Sequence, residues 1–367
     1  MRIAHVSDCY LPRTGGIETQ VRGLALAQAE RGEEPWVITA TPGSGAQRAG
    51  RDMIDGIEVA RLAAHLPGDV PVHPRTRAGV RALLEDSPSD VAHVHVGAVS
   101  PFAWGALRAL AELRLPTVVT VHSMWGPLSR SGYRAARSLL TRPGVVVSAV
   151  SRIAAEPVQA ALGVPVDVLP NAIDPDPWRQ SAPVPRITGR LRVVTVARLA
   201  PRKRVSALLR AIARAQVLLG PDATIDMTII GDGPQRGAIE RTARRLGVPA
   251  RFTGRLPLEG IREIFATCDA FAQASVLESF GIAALEARTF GLPVVARAQA
   301  GTSEFIHEGI EGLLAVDDEG VGSALALLGR DPALGERLAA HNVAVPPEQT
   351  WDFACDRARA LYAAAGA

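Results

Sequence analysis

One pattern limits this chain more than any other. A short apolar strand, a loop and an amphipathic helix recur along nearly the whole sequence, with a single interruption. Before it, RIAHVSD, PWVITA, GIEVARL, DVAHVHV, PTVVTVH, VVVSAVS and VDVLPN read as strands, with helical patterns at GGIETQVRGLALAQAERG and SPFAWGALRALAEL. Ser100 is the expected N-cap of the second helix, with Pro101 at its first position. Residues 172–190 are rich in proline and polar side chains and read as a linker. The alternation then restarts with LRVVTVARL, TIDMTIIGDG, ARFTGRL, AFAQAS and PVVARA as strands, and helices expected near 202–219 and 234–246. Strands alternating with helices imply parallel sheets covered on both faces. The expected fold is α/β, with two doubly wound, Rossmann-like domains facing across a cleft. These span residues 1–172 and 173–350, and an amphipathic C-terminal helix (351–367) docks back on the first. A length of 367 residues suits two such domains.

Open parallel sheets bind ligands beyond the carboxyl ends of their strands, so chemistry is sought where strands stop. Arg198 stands at the end of LRVVTVARL, and Lys203 where the next helix is expected to begin. A helix N-terminus favours phosphate, and two added cations make the place suit a diphosphate. The plain alternative is a surface-exposed basic helix start. Downstream, SVLESFGIAALEARTFGLPVV carries Glu278 and Glu286 with seven residues between them, in a turn that becomes a helix and breaks at Gly291 and Pro293. Two helical turns separate such carboxylates by roughly 10–12 Å. That is too far to share a proton, but it suits two hydroxyl groups of one long ligand.

Other positions carry weaker signals. Gly231 and Gly233 follow a strand and allow close backbone approach to a ligand, though a plain turn explains them equally well. Gly254 and Arg255 end another strand, where backbone could face a nucleobase. Gly15 and Gly16 leave the first strand–helix loop without an obstructing side chain, so an anion or a sugar could approach. This is not the G-x-G-x-x-G dinucleotide pattern, and a tight turn is the alternative. His122 ends PTVVTVH and could bond a sugar hydroxyl. His93 and His95 alternate along one strand face and read as packing or polar-network residues. Asp174 and Asp176 resemble a D-x-D metal pair but lie in the linker, so no metal is expected. Arg130, Arg134, Arg137 and Arg142, with Tyr133, Leu139 and Leu140, form a basic run that either lies on an anionic membrane or is a solvated face.

The net charge is +3, which excludes a general nucleic-acid binder. Cys9, Cys268 and Cys355 lie far apart, without the pairing of a disulfide framework or zinc site. No charged leader with a long apolar run opens the sequence, and no stretch reaches the roughly eighteen residues of a membrane span. The expectation is a cytoplasmic protein, with Arg130–Arg142 as the candidate peripheral contact on the membrane's inner face.

GGIE (Gly15 to Glu18), the strand-end His122, LPNAID from Leu169, ARLAPRK with Arg198 and Lys203, GDGP at Gly231, FTGRL at Phe252 and ESFGIAALE together resemble the retaining glycosyltransferases of family 4, which have the GT-B fold. SDCYLPRTGGIE and TVHSMWG more loosely resemble the phosphatidylinositol-acting sugar transferases. The resemblance implies a sugar passed from a UDP- or GDP-sugar to an acceptor hydroxyl, with no cofactor or metal. It implies Arg198 and Lys203 on the diphosphate and Glu286 on the ribose. Glu278, His122 and the backbone of Phe280 and Gly281 would lie at the donor sugar, and Gly16 at the phosphate or acceptor. One departure is Ala300-Gly301-Thr302-Ser303-Glu304, where a Gly-Gly is usual. No second carboxylate is evident at the roughly 5 Å of retaining glycosidases, so front-face substitution is the expected course. The alternatives are a sugar-nucleotide epimerase of the same fold and a non-catalytic protein that binds sugar nucleotides as part of a larger enzyme.

Overall fold

A computed structural model describes residues 1–44, 48–64, 73–97, 99–124, 128–180, 182–185, 187–221 and 223–367, the side chains of 128–130 excepted. The chain divides into two compact units, Met1–Ala172 with Gln349–Ala367, and Ile173–Glu348.

In the first unit the strands are β1 (Arg2–Ser7), β2 (Glu34–Thr39), β3 (Gly50–Ile54), β4 (Ile57–Arg61), β5 (Val91–Val96), β6 (Thr117–Val121), β7 (Val145–Ala149) and β8 (Asp167–Val168). The helices are α1 (Gly16–Glu30), α2 (Thr76–Asp86), α3 (Pro101–Leu113), α4 (Leu128–Ala135), α5 (Arg137–Leu140) and α6 (Arg152–Leu162). The eight strands lie in the order β3-β4-β2-β1-β5-β6-β7-β8. Pairing is parallel except at the edge, where β3 runs antiparallel to β4. That edge departs from the all-parallel expectation. Asp55 and Gly56 both have positive φ, which makes the tight hairpin turn. VDVLPN shrinks to the two residues of β8. Every residue of β5 is buried, as a central strand covered on both faces requires.

Ser100 is the N-cap residue of α3, but its hydroxyl accepts from Gly97 N at 2.7 Å instead of capping the helix. Asp8, just beyond β1, caps it instead: Phe102 N donates to Oδ1 at 2.9 Å and Ala103 N to Oδ2 at 3.3 Å. Burial pushes the Asp8 carboxyl up to about 6, against the pull of those N–H groups.

The second unit holds β9 (Arg190–Val196), β10 (Thr224–Ile230), β11 (Ala250–Gly254), β12 (Ala270–Ala272), β13 (Val294–Arg297) and β14 (Gly312–Ala315). They form a fully parallel sheet in the order β11-β10-β9-β12-β13-β14. Its helices are α7 (Val205–Leu219), α8 (Arg236–Leu246), α9 (Leu258–Phe265), α10 (Ile282–Thr289), α11 (Asp318–Arg330) and α12 (Pro332–Ala344). Side-chain caps start the last two: Asp317 accepts from Gly320 N at 2.7 Å and Asp331 from Leu334 N at 2.9 Å.

The final helix, α13 (Trp351–Ala365), returns to the first unit. Ala354, Ala358, Leu361 and Tyr362 are buried in one cluster with Ile3, Leu24, Val91 and Val118. Gly23 of α1 makes room for it: a Cβ there would stand 2.1 Å from the Trp351 ring. Arg31 ties Asp352 and Asp356 at 2.9 and 2.6 Å across the same contact.

Candidate functional site

In the second unit the loops after β9 and β10 interlock. Ala197 N donates to Ile230 O at 3.0 Å, Leu199 N to Asp232 O at 2.9 Å, and Gln235 N to Leu199 O at 3.0 Å. This explains the GDGP glycines. A Cβ on Gly231 would lie 2.0 Å from Ala197 O, and one on Gly233 2.5 Å from Leu199 O. The neighbouring loop alone therefore demands both glycines. Gly231 N also donates to Gly254 O at 2.7 Å, and Gly254 holds φ +75. Arg255, next to it, is exposed.

The expected helix start at 202 is corrected. Residues Pro201–Lys203 form a 3-10 turn, Arg204 follows at φ +53, and α7 begins only at Val205. Lys203 thus sits on the connecting turn. Its Nζ donates to Glu278 Oε2 at 2.5 Å, with Glu278 itself buried. Arg198 is exposed, and its side chain makes no hydrogen bond or ion pair with the described residues.

The Glu278 loop is held by backbone. Gly301 N donates to Glu278 O at 2.7 Å, and a Cβ on Gly301 would strike Ser279 O at 2.1 Å. The one glycine left in the unusual Ala300–Glu304 stretch is therefore required. Gly281 caps α10 at φ +97, and Phe280 is buried against Phe305 with ring centroids 5.2 Å apart. Glu286 lies on α10 with part of its side chain at the surface, yet desolvation pushes its carboxyl up to about 8.

Two polar residues at this place were given no role by the sequence, which marks Thr302 only as part of the Ala300–Glu304 departure. The Gln273 Nε2 and Thr302 Oγ1 atoms are buried without a hydrogen-bond partner. Both side chains stand against Gly281, where a Cβ would lie 3.4 Å from Gln273 Nε2 and 2.5 Å from Thr302 Cγ2. Neither belongs to a recognisable motif. What marks them is the tertiary contact, which composition and spacing do not carry.

In the first unit, Gly15 is the N-cap of α1. The loop is exposed at Gly15 and Gly16, but the Glu18 side chain lies against it. A Cβ on Gly15 would meet Glu18 Oε2 at 2.6 Å, so a buried carboxylate lies against the helix start, with Arg13 Nε 3.7 Å from it. A carboxylate there opposes a phosphate and accepts hydroxyl groups. Gly16 is the exposed first residue of the same helix.

His122 follows β6 and is buried, with its Nε2 hydrogen-bonded to His95 Nδ1 at 3.0 Å. Burial holds its imidazole down at about 4, so the ring is neutral. A small pocket beside it is lined by Gln20, Thr120, Asn171 and Trp351. His93 and His95 are fully enclosed polar-network residues, in keeping with their reading from the sequence.

The basic run is two short helices, not one. Arg134 and Arg137 are exposed, while Tyr133 and Leu140 are buried. Arg142 turns inward, its Nη2 donating to Thr117 Oγ1 at 3.2 Å, so it does not belong to an outward cationic face. The Arg130 side chain, and Trp125 and Gly126 of TVHSMWG, lie outside the described residues. Asp174 is exposed, and its Oδ1 accepts from Asp176 N at 3.0 Å as a local turn. Among the described residues no helix is long and apolar enough to cross a membrane.

Two parallel-sheet α/β units of this kind make a GT-B architecture. The solved structure of HepE from Anabaena, in complex with UDP and glucose, matches with a TM-score of 0.77 at 19% identity, covering 99% of this chain and 100% of that one. WaaG, a glycosyltransferase involved in lipopolysaccharide biosynthesis, matches with a TM-score of 0.71 at 18% identity over the full length of both. The family models for glycosyltransferase family 4 and glycosyl transferases group 1 match residues 14–177 and 177–340. The chain belongs to this family of glycosyltransferases. It is 28% identical to one component of the human phosphatidylinositol N-acetylglucosaminyltransferase over 84% of this chain, and it spans 64% of that protein's length. It is 27% identical to a GDP-mannose-dependent alpha-mannosyltransferase of Mycobacterium tuberculosis, covering 86% of this chain and 83% of that protein. A D-inositol 3-phosphate glycosyltransferase of Kribbella flavida is also 27% identical, over 98% of this chain and 93% of its own.

Proposed function

We propose that the chain transfers a hexosyl or N-acetylhexosaminyl group from a UDP- or GDP-sugar to an acceptor hydroxyl, with retention at the anomeric carbon and without a metal. The acceptor would be a glycolipid, a polysaccharide precursor or a small glycoside. The observation that carries this reading is the Lys203–Glu278 pair at 2.5 Å. It puts a cation suited to a diphosphate in contact with a carboxylate suited to a sugar, with Glu286 further along the same segment.

In this reading the diphosphate draws Lys203 away from Glu278 and pairs with it and with exposed Arg198. Glu278, released, accepts hydrogen bonds from sugar hydroxyls, together with the Phe280–Gly281 backbone. Glu286 accepts from the ribose hydroxyls, and the Gly231, Gly254 and Arg255 loops lie toward the nucleotide. As the bond from the anomeric carbon to phosphate breaks, negative charge grows on the departing oxygen, and Arg198 and Lys203 stabilise it more than they do the ground state. The acceptor oxygen attacks on the same face, and the departing phosphate takes its proton. On the first unit, the Glu18 carboxylate at the Gly15–Gly16 turn suits a hydroxyl-rich acceptor, and neutral His122 suits a donor-sugar hydroxyl. The protein acts in the cytoplasm, and exposed Arg134 and Arg137 would meet any anionic lipid surface that carries the acceptor.

The test is incubation with a panel of UDP- and GDP-sugars and candidate acceptors, with the products separated and the anomeric configuration read by NMR. Transfer with retention supports the reading. Epimerised donor without transfer would replace it with an isomerase, and tight donor binding without turnover would replace it with a non-catalytic binding protein.

A further inference from the structure

Gln273 follows β12, and Thr302 lies on a 3-10 turn after β13. Gln273 is 8% exposed and Thr302 is wholly buried. Among the described residues, Gln273 Nε2 and Thr302 Oγ1 find no hydrogen-bond partner. A buried polar group left unpaired weakens a fold, because it gives up water and gains nothing in return. The ligand-free arrangement therefore draws no stability from either group.

Both side chains converge on the stem of Glu278. A Cβ on Gly281 would lie 2.5 Å from Thr302 Cγ2, 3.4 Å from Gln273 Nε2 and 3.6 Å from Glu278 Cγ. By carrying no side chain, Gly281 leaves the gap between the three open. The Glu278 carboxylate itself is taken up by Lys203 Nζ at 2.5 Å. The backbone around it is pinned. Gly301 N donates to Glu278 O at 2.7 Å and Gln273 N to Val295 O at 2.9 Å. Arg204 Nε donates to Ala274 O at 3.2 Å, and Ser275 Oγ to Lys203 O at 3.3 Å. A change of partner at Glu278 is then a rotation of its side chain, with the loop unmoved. When a diphosphate takes Lys203, Glu278 is left as a buried carboxylate without its cation. That is costly unless other donors replace the lysine, and the Gln273 amide and Thr302 hydroxyl are unused donors beside its stem.

We propose that Gln273 and Thr302 are positioning residues that form a second seat for Glu278. The carboxylate rests on Lys203 in the free protein and turns to the Gln273 amide and Thr302 hydroxyl once Lys203 is engaged. A carboxylate has about four lone-pair sites, so it accepts from both and still meets a sugar hydroxyl. The seat fixes where Glu278 points when the donor sugar arrives. The consequence for turnover rests on the proposed function; the exchange of partners does not.

Urea unfolding of the ligand-free full chain tests the exchange without any donor, because Lys203→Ala vacates the ion pair. Gln273→Met keeps the length of the side chain and removes the amide. Thr302→Val keeps the shape and removes the hydroxyl, and it keeps the test open if Gln273→Met fails to fold. Each should leave the urea midpoint of the parent unchanged or raise it, since the lost group had no partner. Each should lower the midpoint when added to Lys203→Ala, where Glu278 depends on it. A merely structural contact would not give this dependence on background. A fall of equal size in both backgrounds, or no fall in either, would overturn the proposal. With a donor and acceptor that the chain turns over, Gln273→Met should lower kcat by about tenfold with a smaller change in donor KM. The dependence on background without loss of turnover upholds the second seat and removes Glu278 from the donor sugar.

Discussion

Lys203 Nζ and Glu278 Oε2 lie 2.5 Å apart although 75 residues separate them in the chain. The lysine read from the sequence as a free phosphate-binding cation is neutralised before any donor arrives. Glu278→Gln frees it. The nucleoside diphosphate should then bind about threefold to tenfold more tightly by calorimetry, while transfer falls about a hundredfold because the sugar loses its carboxylate.

Lys203→Ala should lower turnover by about a hundredfold, near 3 kcal/mol of barrier. Turnover within about a factor of three of the parent, in steady-state assays at saturating donor, would remove Lys203 from the stabilisation of the leaving phosphate.

Glu286 should make donor binding pH-dependent. Its carboxyl, pushed up to about 8 by desolvation, binds ribose hydroxyls best when ionised. The Kd should therefore fall as pH rises toward 8, by at most about tenfold per unit, and then level off. The same raised pKa means that the ligand-free fold holds this proton more tightly than the unfolded chain does, so its contribution to stability declines as pH rises from 4.5 to about 8. Glu286→Gln should flatten both curves, read by calorimetry and by urea unfolding.

Buried His5 and His122 should make the first unit acid-labile. His5 and His122 sit at about 4 in the fold against an ordinary 6.5, because burial penalises the charged ring. As pH falls below 6.5 the unfolded chain takes up protons that the folded one refuses. Stability should be intact at pH 7 and decline through the window down to about 4. Urea midpoints measured at pH 7.5 and pH 5 would reveal this, and equal midpoints would contradict it.

Gly231→Ala should cost about 3 kcal/mol or more. The new methyl would sit 2.0 Å from Ala197 O at a φ of +128, where neither backbone can yield. Gly247→Ala, at φ +64 with open space around its Cβ, separates the two causes. It should cost only the strain of the left-handed backbone, about 1 kcal/mol, in the same unfolding assay.

Much of the architecture was legible because parallel strands buried on both faces read as apolar runs, as in VAHVHV and TIDMTII. The antiparallel β3 was not, since four of its five residues are exposed and no alternation marks it. Glu278 and Glu286 were legible as a spaced pair on one short segment. Glu18 was visible in GGIE, but its contact with Gly15 depends on how the side chain folds over the helix start. Gln273 carries no local signal, and Thr302 only its place in the Ala300–Glu304 stretch.

Hydrophobic period, turn residues and the proline-rich break determined two α/β units and the segments that end at candidate ligand positions, because those are properties of neighbours in sequence. Which groups meet there was decided by folding. Lys203 finds Glu278, Asp8 caps a helix that begins 93 residues later, and Gln28 of α1 and Tyr362 of α13 meet each other and the buried histidines His5 and His93. Such pairings depend on sheet order and on the return of α13 to the first unit, which no local pattern encodes.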